Sequence, residues 1–429
     1  MKASKGGNFE PEYFAFLDDI YHCHWSLQKS RKIHRLKKAV KYFWPNGHPT
    51  RLLCITGTNG KGSVAYYLEQ GLMQWGSTGS WTGPHVFDYA ERFHICGQIA
   101  DHGEIVQIYR EEIEPYQLTQ MQENESLGFA SIGVLIALKL FERHSVQWGI
   151  MEVGAGGRHT PLMALDAVGT ILTNIGMDHP LTLGSELWQR AVEKAGMAKP
   201  GIPFFSAETG EARAFVEKTV LERGATYFGL TENDCDHIRQ SLKEDTPLFR
   251  IKNLALAVKV ILHYYPNTDG RSLLDSMKSH LPGRFSRLQN SQILIDVAHN
   301  QNKIDALAEH LKLTYPGKKF IFLIGLTRKR NPEHVFASLF SLGKRFFLTS
   351  ASYAGQPPGE IAEKLKGKVP GLEVIEDPRE AIQKARESLS KEDILVLTGS
   401  AYMLDQALNP SRYLAHLNAS YGWRGKNSN

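Results

Sequence analysis

The chain contains 429 residues, of which 42% are hydrophobic and 22% charged, a composition that excludes a disordered or fibrous protein. This length predicts two or three domains, each with enough apolar residues for its own core. The formal net charge of +5 is compatible with acidic ligands such as nucleotides but is too small to indicate a nucleic-acid-binding protein.

The cysteines and the apolar segments indicate the compartment. The chain has four cysteines, which lie far apart: Cys23, Cys54, Cys96 and Cys235. The absence of a Cys-x-x-Cys pair favours unpaired thiols in a reducing compartment over a disulfide framework or a zinc site. The N-terminal sequence lacks the apolar stretch of a signal peptide, and the longest apolar run, Ile132 to Leu140, is too short to cross a bilayer. We therefore expect a cytoplasmic protein that binds no membrane.

The first predicted element is helical, and a strand follows it. The pattern from Phe9 to Tyr42 is helical and basic, and it ends at the break Pro45-Asn46-Gly47. A short apolar run from Leu52 to Thr56 is followed by glycines and then by a helical stretch from Val64 to Trp75. This succession predicts a strand, a loop and a helix, which is the context that a phosphate-binding loop requires.

Strand and helix patterns then alternate through the first part of the chain. The predicted strands are Trp148–Val153, Val168–Asn174 and Pro203–Ser206, and the helices between them include Ile132–Glu142 and Glu186–Ala195. Such alternation predicts a mainly parallel sheet covered by helices. Ligands in folds of this kind bind at the carboxyl ends of the strands.

A second alternating series begins at Gln292 and continues through three more apolar runs, Phe320–Gly325, Arg345–Thr349 and Ile394–Thr398. We interpret it as a separate, smaller domain, joined near Leu281-Pro282-Gly283. The predicted fold class is therefore α/β. A P-loop ATPase-like domain with a mainly parallel sheet is expected over residues 1–281, and a smaller Rossmann-like domain over residues 282–429.

Seven residues after the first predicted strand have the composition of a phosphate-binding loop: Gly57, Thr58, Asn59, Gly60, Lys61, Gly62 and Ser63. Their spacing is shorter than the general Gly-x-x-x-x-Gly-Lys-Ser form. Glycines allow backbone N–H groups to approach phosphates, and the following helix adds a favourable field at its N-terminus. An ordinary strand-to-helix turn would not require Lys61, which can neutralise phosphates, or Ser63, which can contact metal or phosphate.

Two later strand ends carry polar residues suited to a metal–nucleotide complex. Glu152 ends one predicted strand before a glycine-rich turn, and Asp178 and His179 follow another. Mg²⁺ takes few carboxylates and otherwise keeps waters and phosphate oxygens. An isolated acid or histidine is usually structural, but two such strand ends beside a phosphate loop favour a metal–ATP site.

As a set, these motifs resemble those of folylpolyglutamate synthase and dihydrofolate synthase, which are members of the Mur ligase superfamily. The matching segments are Gly57–Ser63, Glu152-Val-Gly-x-Gly-Gly-Arg158, Thr173-Asn-Ile-Gly-x-Asp-His179, Glu193-Lys-Ala-Gly196, Lys199-Pro-Gly201, Pro282-Gly-Arg-Phe285, Asp296-x-Ala-His-Asn300 and Thr398-Gly-Ser-x-Tyr402. Their order and spacing fit the family, they cover nearly the whole chain, and together they are highly specific.

The resemblance implies an ATP-dependent ligase. In such a reaction, ATP phosphorylates a substrate carboxylate, and the amine of an amino acid attacks the acyl phosphate to give an amide, ADP and phosphate. Phosphoryl transfer is mainly a matter of positioning and charge neutralisation. The expected cofactors are ATP and Mg²⁺, and the expected partners are a small-molecule carboxylate and an amino acid, with glutamate joined to a folate or dihydropteroate as the first hypothesis. We also expect a monomer.

The same resemblance assigns roles in the first domain. Lys61 holds phosphate, Glu152 and His179 serve Mg²⁺, and Lys194 matches a lysine that is carbamylated in the family. A carbamate is an anionic oxygen ligand, whereas an ammonium has no lone pair for a metal. Asn253 matches an asparagine near the nucleotide base.

In the second domain, the resemblance places three residues where the family closes over ATP and the incoming amino acid: Arg284, Asp296 and His299. Arg284 suits a planar phosphate contact. An Asp–His couple suits the steering of the attacking amine.

Several acceptor-side positions depart from the family pattern. After Arg158 the usual Leu-Asp-Ala-Thr-Asn is replaced by a segment from His159 to Met163. A metal-associated serine is replaced by Gly83 in Thr82-Gly83-Pro84-His85, which makes Thr82 a candidate substitute ligand. The family's Phe-Glu pair corresponds to Phe129-Ala130, and the stretch from Phe204 to Arg250 is short, as though a β-rich segment were missing.

These departures leave two alternatives to a folate ligase. One is a Mur-like ligase with another acceptor in specialised metabolism, and the other is a non-catalytic nucleotide-binding relative. Loss of activity would not be expected to spare Lys61, Glu152, His179, Lys194 and His299. The pattern therefore favours a changed substrate over a lost activity.

Overall fold

The computed structural model describes residues 10–22, 31–123, 125–176, 183–242, 246–277, 285–288, 291–352 and 354–408. The chain forms two compact units, the first comprising Met1–Pro84, Ala90–Lys243 and Leu248–Lys278, and the second comprising His85–Tyr89, Glu244–Pro247 and Ser279–Asn429. The join expected near Leu281 lies outside the described residues. The division at residues 281 and 282 therefore stays a prediction.

The first unit is built on an eight-stranded sheet with the order β4-β3-β2-β5-β1-β6-β7-β8. Its strands are β1 (Arg51–Thr56), β2 (Thr78–Trp81), β3 (Phe93–Ile95), β4 (Gln98–Ile99), β5 (Trp148–Glu152), β6 (Ala167–Leu172), β7 (Pro203–Ser206) and β8 (Thr226–Gly229). The pairings from β2 to β8 are parallel, whereas β3 and β4 form an antiparallel edge. The expectation of a mainly parallel sheet is thereby confirmed, with an antiparallel edge that the sequence did not indicate.

Helices cover this sheet, as expected for parallel strands, which need both faces buried. They are α1 (Glu10–His22), α2 (Lys32–Phe43), α3 (Lys61–Leu72), α4 (His102–Ile108), α5 (Glu114–Gln122), α6 (Phe129–Arg143), α7 (Leu187–Ala195), α8 (Ala212–Glu222), α9 (Glu232–Gln240), α10 (Leu248–Tyr264) and α11 (Gly270–Ser276). A π-helical turn, Tyr109–Ile113, connects α4 to α5. The stretch from Phe204 to Arg250 contains α8, β8 and α9 between the end of β7 and the start of α10.

The second unit has a six-stranded sheet in the order β13-β12-β11-β14-β10-β9. Its strands are β9 (Ser286–Arg287), β10 (Ile293–Ile295), β11 (Phe320–Ile324), β12 (Gly343–Leu348), β13 (Leu372–Val374) and β14 (Leu395–Thr398), and its helices are α12 (Gln301–Thr314), α13 (Pro332–Phe340), α14 (Pro358–Leu365), α15 (Pro378–Glu387) and α16 (Ala401–Leu408). All its pairings are parallel except that of β9 with β10.

Helix starts in the second unit follow local rules of capping. Asn331 and Asp377 accept backbone N–H groups at the starts of α13 and α15, and a proline occupies the first turn of each helix. Proline is tolerated there because its missing N–H would have had no helical partner. Two apolar cores, on opposite faces of the sheet, hold these helices in place. Within the described ranges of both units, no helix is long and apolar enough to cross a membrane.

Candidate functional site

The phosphate loop follows the central strand of the first unit. β1 lies between β5 and β6, with Ile55 opposite Glu152 and Thr56 opposite Leu172. Because the three strands are parallel, the segments after them emerge at one edge of the sheet. The predicted phosphate loop, the acid at the end of β5 and the Thr173–Gly176 segment therefore lie at the same edge.

Glycine is required at two loop positions by backbone geometry. Gly57 has a φ of 145° and Gly60 a φ of 80°, values that residues with a side chain rarely adopt. Gly60 directly precedes α3, and a Cβ atom there would stand 2.6 Å from Oδ1 of Asn253 on α10. Asn253, predicted to lie near the nucleotide base, is thus packed against the phosphate loop.

The segment after β6 determines the loop conformation. The backbone N–H of Thr58 donates to the carbonyl of Asn174 at 3.0 Å, and the N–H of Asn59 donates to the Asn174 side-chain oxygen at 2.8 Å. The N–H of Gly176 donates to the Thr58 hydroxyl at 2.9 Å. The loop is therefore preorganised by its neighbours on the sheet.

Lys61 is the loop's cation, and it is largely buried. Its Nζ atom donates to the carbonyls of Gly57 and Thr58, at 3.1 and 3.3 Å, and lies 3.9 Å from Oε1 of Glu152. The ammonium is thereby held between the loop backbone and the acid on β5. Ser63 lies half-buried in the first turn of α3.

Glu152 is the buried acid of this edge, with 6% of its surface exposed. Its Oε2 atom accepts the backbone N–H of Gly83 at 3.0 Å, and Gly83 follows β2, the strand next to β5. The neighbouring Thr82 donates its own N–H to the carbonyl of Arg92 at 3.0 Å. Residues that follow β1 and β2 thus meet the carboxylate at the end of β5.

The glycine-rich turn after β5 is clamped to α7. The carboxylate of Glu193 accepts the backbone N–H of Gly157 at 3.2 Å and the Nε–H of Arg158 at 2.7 Å. A Cβ atom on Gly157 would stand 2.6 Å from the Cα atom of Lys194, so only glycine permits this approach. The Lys194 side chain is 1% exposed. The lysine predicted to carry a carbamate is therefore buried beside the turn that follows Glu152.

These residues fit a site for a divalent cation that arrives with a nucleotide. No group of three or more His, Cys, Asp and Glu side chains is placed to hold a metal in the part of the chain that the structure describes. That is compatible with Mg²⁺, which binds through one or two carboxylates and takes its other ligands from waters and phosphates. Asp178, His179 and Arg284 lie outside the described residues, so their predicted roles stay predictions.

Asp296 and His299 follow β10 in the second unit. The Asp296 carboxylate accepts the backbone N–H groups of Phe285 and Ala298, at 2.9 and 2.7 Å. His299 is hydrogen-bonded through Nδ1 to the carbonyl of Val297 at 2.8 Å and through Nε2 to Nζ of Lys303 at 3.3 Å. A lysine can only donate, which assigns the proton of a neutral His299 to Nδ1 and leaves the Nε2 lone pair as the acceptor.

Lys199, in one of the family motifs, has a structural role. Its Nζ atom donates to the carbonyl of Met163 at 3.1 Å and to that of Leu165, which closes the turn before β6. Burial lowers the pKa of Lys199. Burial also raises the pKa of the Cys54 thiol on β1 to about 12.

Sequence reasoning did not single out four residues that shape the site: Asn174, Glu193, Arg92 and Lys303. Asn174 and Glu193 lie within recognised motifs, so the motifs themselves carried a signal. Lys303 stands four residues after His299, a spacing that brings side chains together on a helix. Arg92 had no comparable signal, because its contacts depend on strand pairing.

Comparison with known proteins agrees with this arrangement. Residues 283–401 match the family described as Mur ligase, glutamate ligase domain. The chain is 25% identical over 396 residues to the dihydrofolate synthase/folylpolyglutamate synthase of Bacillus subtilis, which covers 83% of this chain and 90% of that protein.

Solved structures show the same fold. Escherichia coli FolC in complex with ADP has a TM-score of 0.78 and 21% identity, over 96% of this chain and 98% of that one. The bifunctional folylpolyglutamate synthase/dihydrofolate synthase of Yersinia pestis, complexed with AMPPNP and a Mn ion, has a TM-score of 0.75 and 24% identity, over 96% of this chain and 98% of that one. In its motifs, its two sheets and these relatives, the chain is similar to the folylpolyglutamate synthases and dihydrofolate synthases, and its residues 283–401 match the glutamate ligase domain of Mur ligases.

Proposed function

We propose that the chain is an ATP-dependent ligase that activates a carboxylate as its acyl phosphate and joins it to glutamate, with a folate or dihydropteroate as the acceptor. The observation that carries this proposal is the edge where β1, β2 and β5 end. There a preorganised glycine loop, a buried lysine and a buried acid lie together, as phosphoryl transfer requires. The named activities of the relatives support the choice of substrates.

The phosphate loop positions the nucleotide in this scheme. The loop N–H groups and the N-terminus of α3 bind phosphate oxygens, and Lys61 exchanges its contacts with the carbonyls of Gly57 and Thr58 for the terminal phosphates. Asn253 limits the space beside Gly60, on the side where the base is expected. Preorganisation of this kind lowers the cost of reorganising donors during the reaction.

Glu152 would hold the metal, with Ser63, Thr82, His179 and a carbamylated Lys194 as the other candidate ligands. A divalent cation bound there with ATP would supply charge neutralisation for the transferring phosphoryl group. The N–H of Gly83 orients the Glu152 carboxylate, and Glu193 holds the turn that separates Glu152 from α7. A carbamate would convert the buried cation of Lys194 into an anionic oxygen ligand.

The second unit serves the incoming amino acid. Asp296 shapes the turn before α12 through its two backbone hydrogen bonds and thereby positions His299. The Nε2 atom of His299 lies 3.3 Å from the ammonium of Lys303, and this contact with a cationic amine supports a role of His299 beside the amine of the incoming amino acid. We assign the steering of the glutamate amine to His299 and a phosphate contact to Arg284.

Product analysis tests the proposal. Purified protein is incubated with ATP, Mg²⁺ and glutamate, together with dihydropteroate or a reduced folate monoglutamate, and the products are identified by mass spectrometry. We expect ADP release and a gain of one glutamyl residue per turnover, and a ladder of masses would give the number of additions. Omission of glutamate is the matched control.

Two results would overturn the proposal in different ways. Conversion of another carboxylate, without conversion of either pterin compound, would favour a Mur-like ligase with a non-folate acceptor. Nucleotide binding without ADP release for any acceptor in a carboxylate panel would favour a non-catalytic relative. Neither alternative is favoured by the relatives found, which are named as synthases of folates.

A further inference from the structure

A cavity of about 610 Å³ lies in the first unit, where residues of α9, α10 and α11 meet residues of β7 and β8. All of its lining residues belong to that unit. Its volume is within the range of pockets that bind small organic molecules. The cavity is therefore large enough for a ligand of its own.

Helix α10 separates this cavity from the phosphate loop. Ala255, Lys259 and Leu262 line the cavity, at spacings of three and four residues that place side chains on one face of a helix. Asn253 packs against Gly60 of the phosphate loop. Two residues along a helix correspond to a rotation of about 200°, so Asn253 and Ala255 lie on opposite sides of α10. The cavity is thus distinct from the nucleotide site.

One wall of the cavity is aromatic. The rings of the buried Phe205 and the partly exposed Phe228 stack, with 5.2 Å between their centroids and 21° between their planes. The ring of His263 meets both of them edge-on, with centroid distances of 5.2 Å to Phe205 and 4.9 Å to Phe228. Flat rings pack well against such a group, by offset stacking or edge-to-face contact. The wall therefore favours an aromatic ligand.

The charged residues of the lining are Asp234, Lys259 and Arg271. Asp234 Oδ2 accepts from Nζ of Lys259 at 2.9 Å, and from the backbone N–H and the hydroxyl of Thr231, both at 2.8 Å. Arg271 is exposed, and its guanidinium has no hydrogen-bond or ion-pair partner within the ranges that the structure describes. The acid of the cavity is thus already paired, whereas the guanidinium is available to a ligand.

The balance of these charges indicates the kind of anion that fits. Because Asp234 balances Lys259, the lining carries one net positive charge, that of Arg271, when its histidines are counted as neutral. One positive charge matches a monoanion better than a doubly charged phosphate ester. A carboxylate is such a monoanion, and its planar shape matches the guanidinium in two parallel hydrogen bonds.

We propose that this cavity binds a small aromatic carboxylate, with the ring against Phe205, Phe228 and His263 and the carboxylate at Arg271. This site is separate from the proposed ligase reaction and does not depend on it. Apolar contact of the ring supplies most of the affinity, and the charge-assisted hydrogen bonds to Arg271 select the acid over a neutral molecule of the same shape.

A pair of probes of one shape and different charge tests the proposal. Indole-3-carboxylate and the neutral indole-3-carboxamide are titrated into protein that is saturated with ADP and Mg²⁺, and binding is measured by ligand-observed NMR. We expect the acid to bind with a Kd in the low millimolar range or tighter, as its size allows, and the amide to bind several-fold more weakly.

Substitution of Arg271 tests the position of the carboxylate. Arg271→Ala should weaken binding of the acid roughly 5- to 10-fold and leave binding of the amide within about twofold, because only the acid gains a charge-assisted hydrogen bond. Arg271→Lys keeps the charge but lacks the planar pair of donors, so an intermediate loss is expected. Arg271 is exposed and unpaired, so neither change should alter the fold.

Filling the cavity tests the position of the ring. Leu262 lines the cavity and is partly exposed, so a larger side chain can be accommodated there without disrupting the core. Leu262→Trp should weaken binding of both probes by at least about 10-fold, because the indole side chain occupies space that the ligand needs. The melting temperature of each variant shows whether it is folded.

Two substitutions outside the cavity are matched controls. Arg239→Ala removes an exposed guanidinium that pairs with Asp236 on α9, and Leu221→Trp enlarges an exposed side chain on α8. Neither residue lines the cavity. Both variants should bind the two probes like the parent protein.

Three outcomes would overturn the inference. The first is the absence of saturable binding of indole-3-carboxylate to the parent. The second is equal binding to the parent and to folded Leu262→Trp, which would place the ligand elsewhere. The third is an equal loss for acid and amide in Arg271→Ala, which would remove the carboxylate contact. Formation of glutamylated product is measured separately, so these outcomes leave the proposed ligase function unchanged, and failure of that function leaves this site standing.

Discussion

The phosphate loop and the contact between Gly83 and Arg92, both in the first unit, are specified by the sequence in different ways. At the phosphate loop, Gly57 and Gly60 adopt backbone angles that few other residues allow, and Lys61 follows within the same short segment. At the Gly83 contact, Gly83, Arg92 and Phe129 come from three separate segments and meet only through packing. The comparison teaches that the loop conformation is specified locally, whereas the contact beside Gly83 depends on side chains brought together by the fold.

The largest effect is expected at the phosphate loop. Lys61→Ala should reduce ATP turnover by at least roughly 100-fold, because it removes the cation proposed to neutralise the terminal phosphates. The measurement is ADP release under saturating substrates, with a melting curve to show that the fold is kept. Lys252→Ala is the control, since Lys252 donates to Thr209 Oγ1 at an exposed position on α10. Turnover near that of the parent would contradict the assignment of the loop.

A second prediction concerns the buried Lys194. Lys194→Ala should lose most of the activity, on the order of 10- to 100-fold, whereas Lys194→Glu should recover part of it because a carboxylate supplies an anionic oxygen. Initial rates at several Mg²⁺ concentrations measure the difference. The mass of the intact parent in bicarbonate buffer shows whether a carbamate is present. Equal rates for the two variants would argue against the carbamate.

A third prediction compares the effects of alanine substitutions at two glycines, Gly60 and Gly154. Gly60→Ala should destabilise the fold by about 1–3 kcal/mol and weaken nucleotide binding, because an alanine there has both an unfavourable φ and a close contact with Asn253. Gly154→Ala, where nothing lies within 4 Å of the added Cβ atom, is the control on the same edge. Urea unfolding and nucleotide titration measure the two effects. Equal free energies of unfolding for both variants would show that a side chain at position 60 does not strain the loop.

The smallest effect is expected for the reactivity of two cysteine thiols, that of Cys54 on β1 and that of Cys96 between β3 and β4. Burial raises the pKa of Cys54 to about 12, so at pH 8 almost all of this thiol is protonated and unreactive, whereas Cys96 is exposed beside the β3–β4 turn. Iodoacetamide should therefore modify Cys96 well before Cys54, as measured by peptide mass spectrometry over time. Denatured protein, in which both thiols are accessible, provides the control. Equal native rates would mean that β1 opens as readily as the edge hairpin.

The sequence predicted much of the fold and the family. The run Pro203–Ser206 forms β7 with the predicted bounds, and the predicted strand, loop and helix form β1, the phosphate loop and α3. The helix expected from Ile132 begins earlier, at Phe129. The predictions of an α/β fold and of the ligase family are confirmed.

Short edge elements were not predicted. β2, β3 and β4 have four, three and two residues, which are too few to show a periodic pattern. Their extended conformation is stabilised by hydrogen bonds to neighbouring strands, in particular the parallel pairing of β2 with β5. Such strands follow from tertiary context more than from intrinsic propensity.

What the sequence alone determined is the chemistry that depends on local backbone geometry: the glycine loop with Lys61, the strand-end acid Glu152 and the ordered motifs of the ligase family. Only the tertiary structure decided that Asn174 holds the loop, that Lys199 closes a turn and that Arg92 fills the space beside Gly83. The physical reason is the separation along the sequence of the residues that interact. A backbone angle is set by the residue that adopts it, whereas a side-chain contact requires segments far apart in the chain to be packed together.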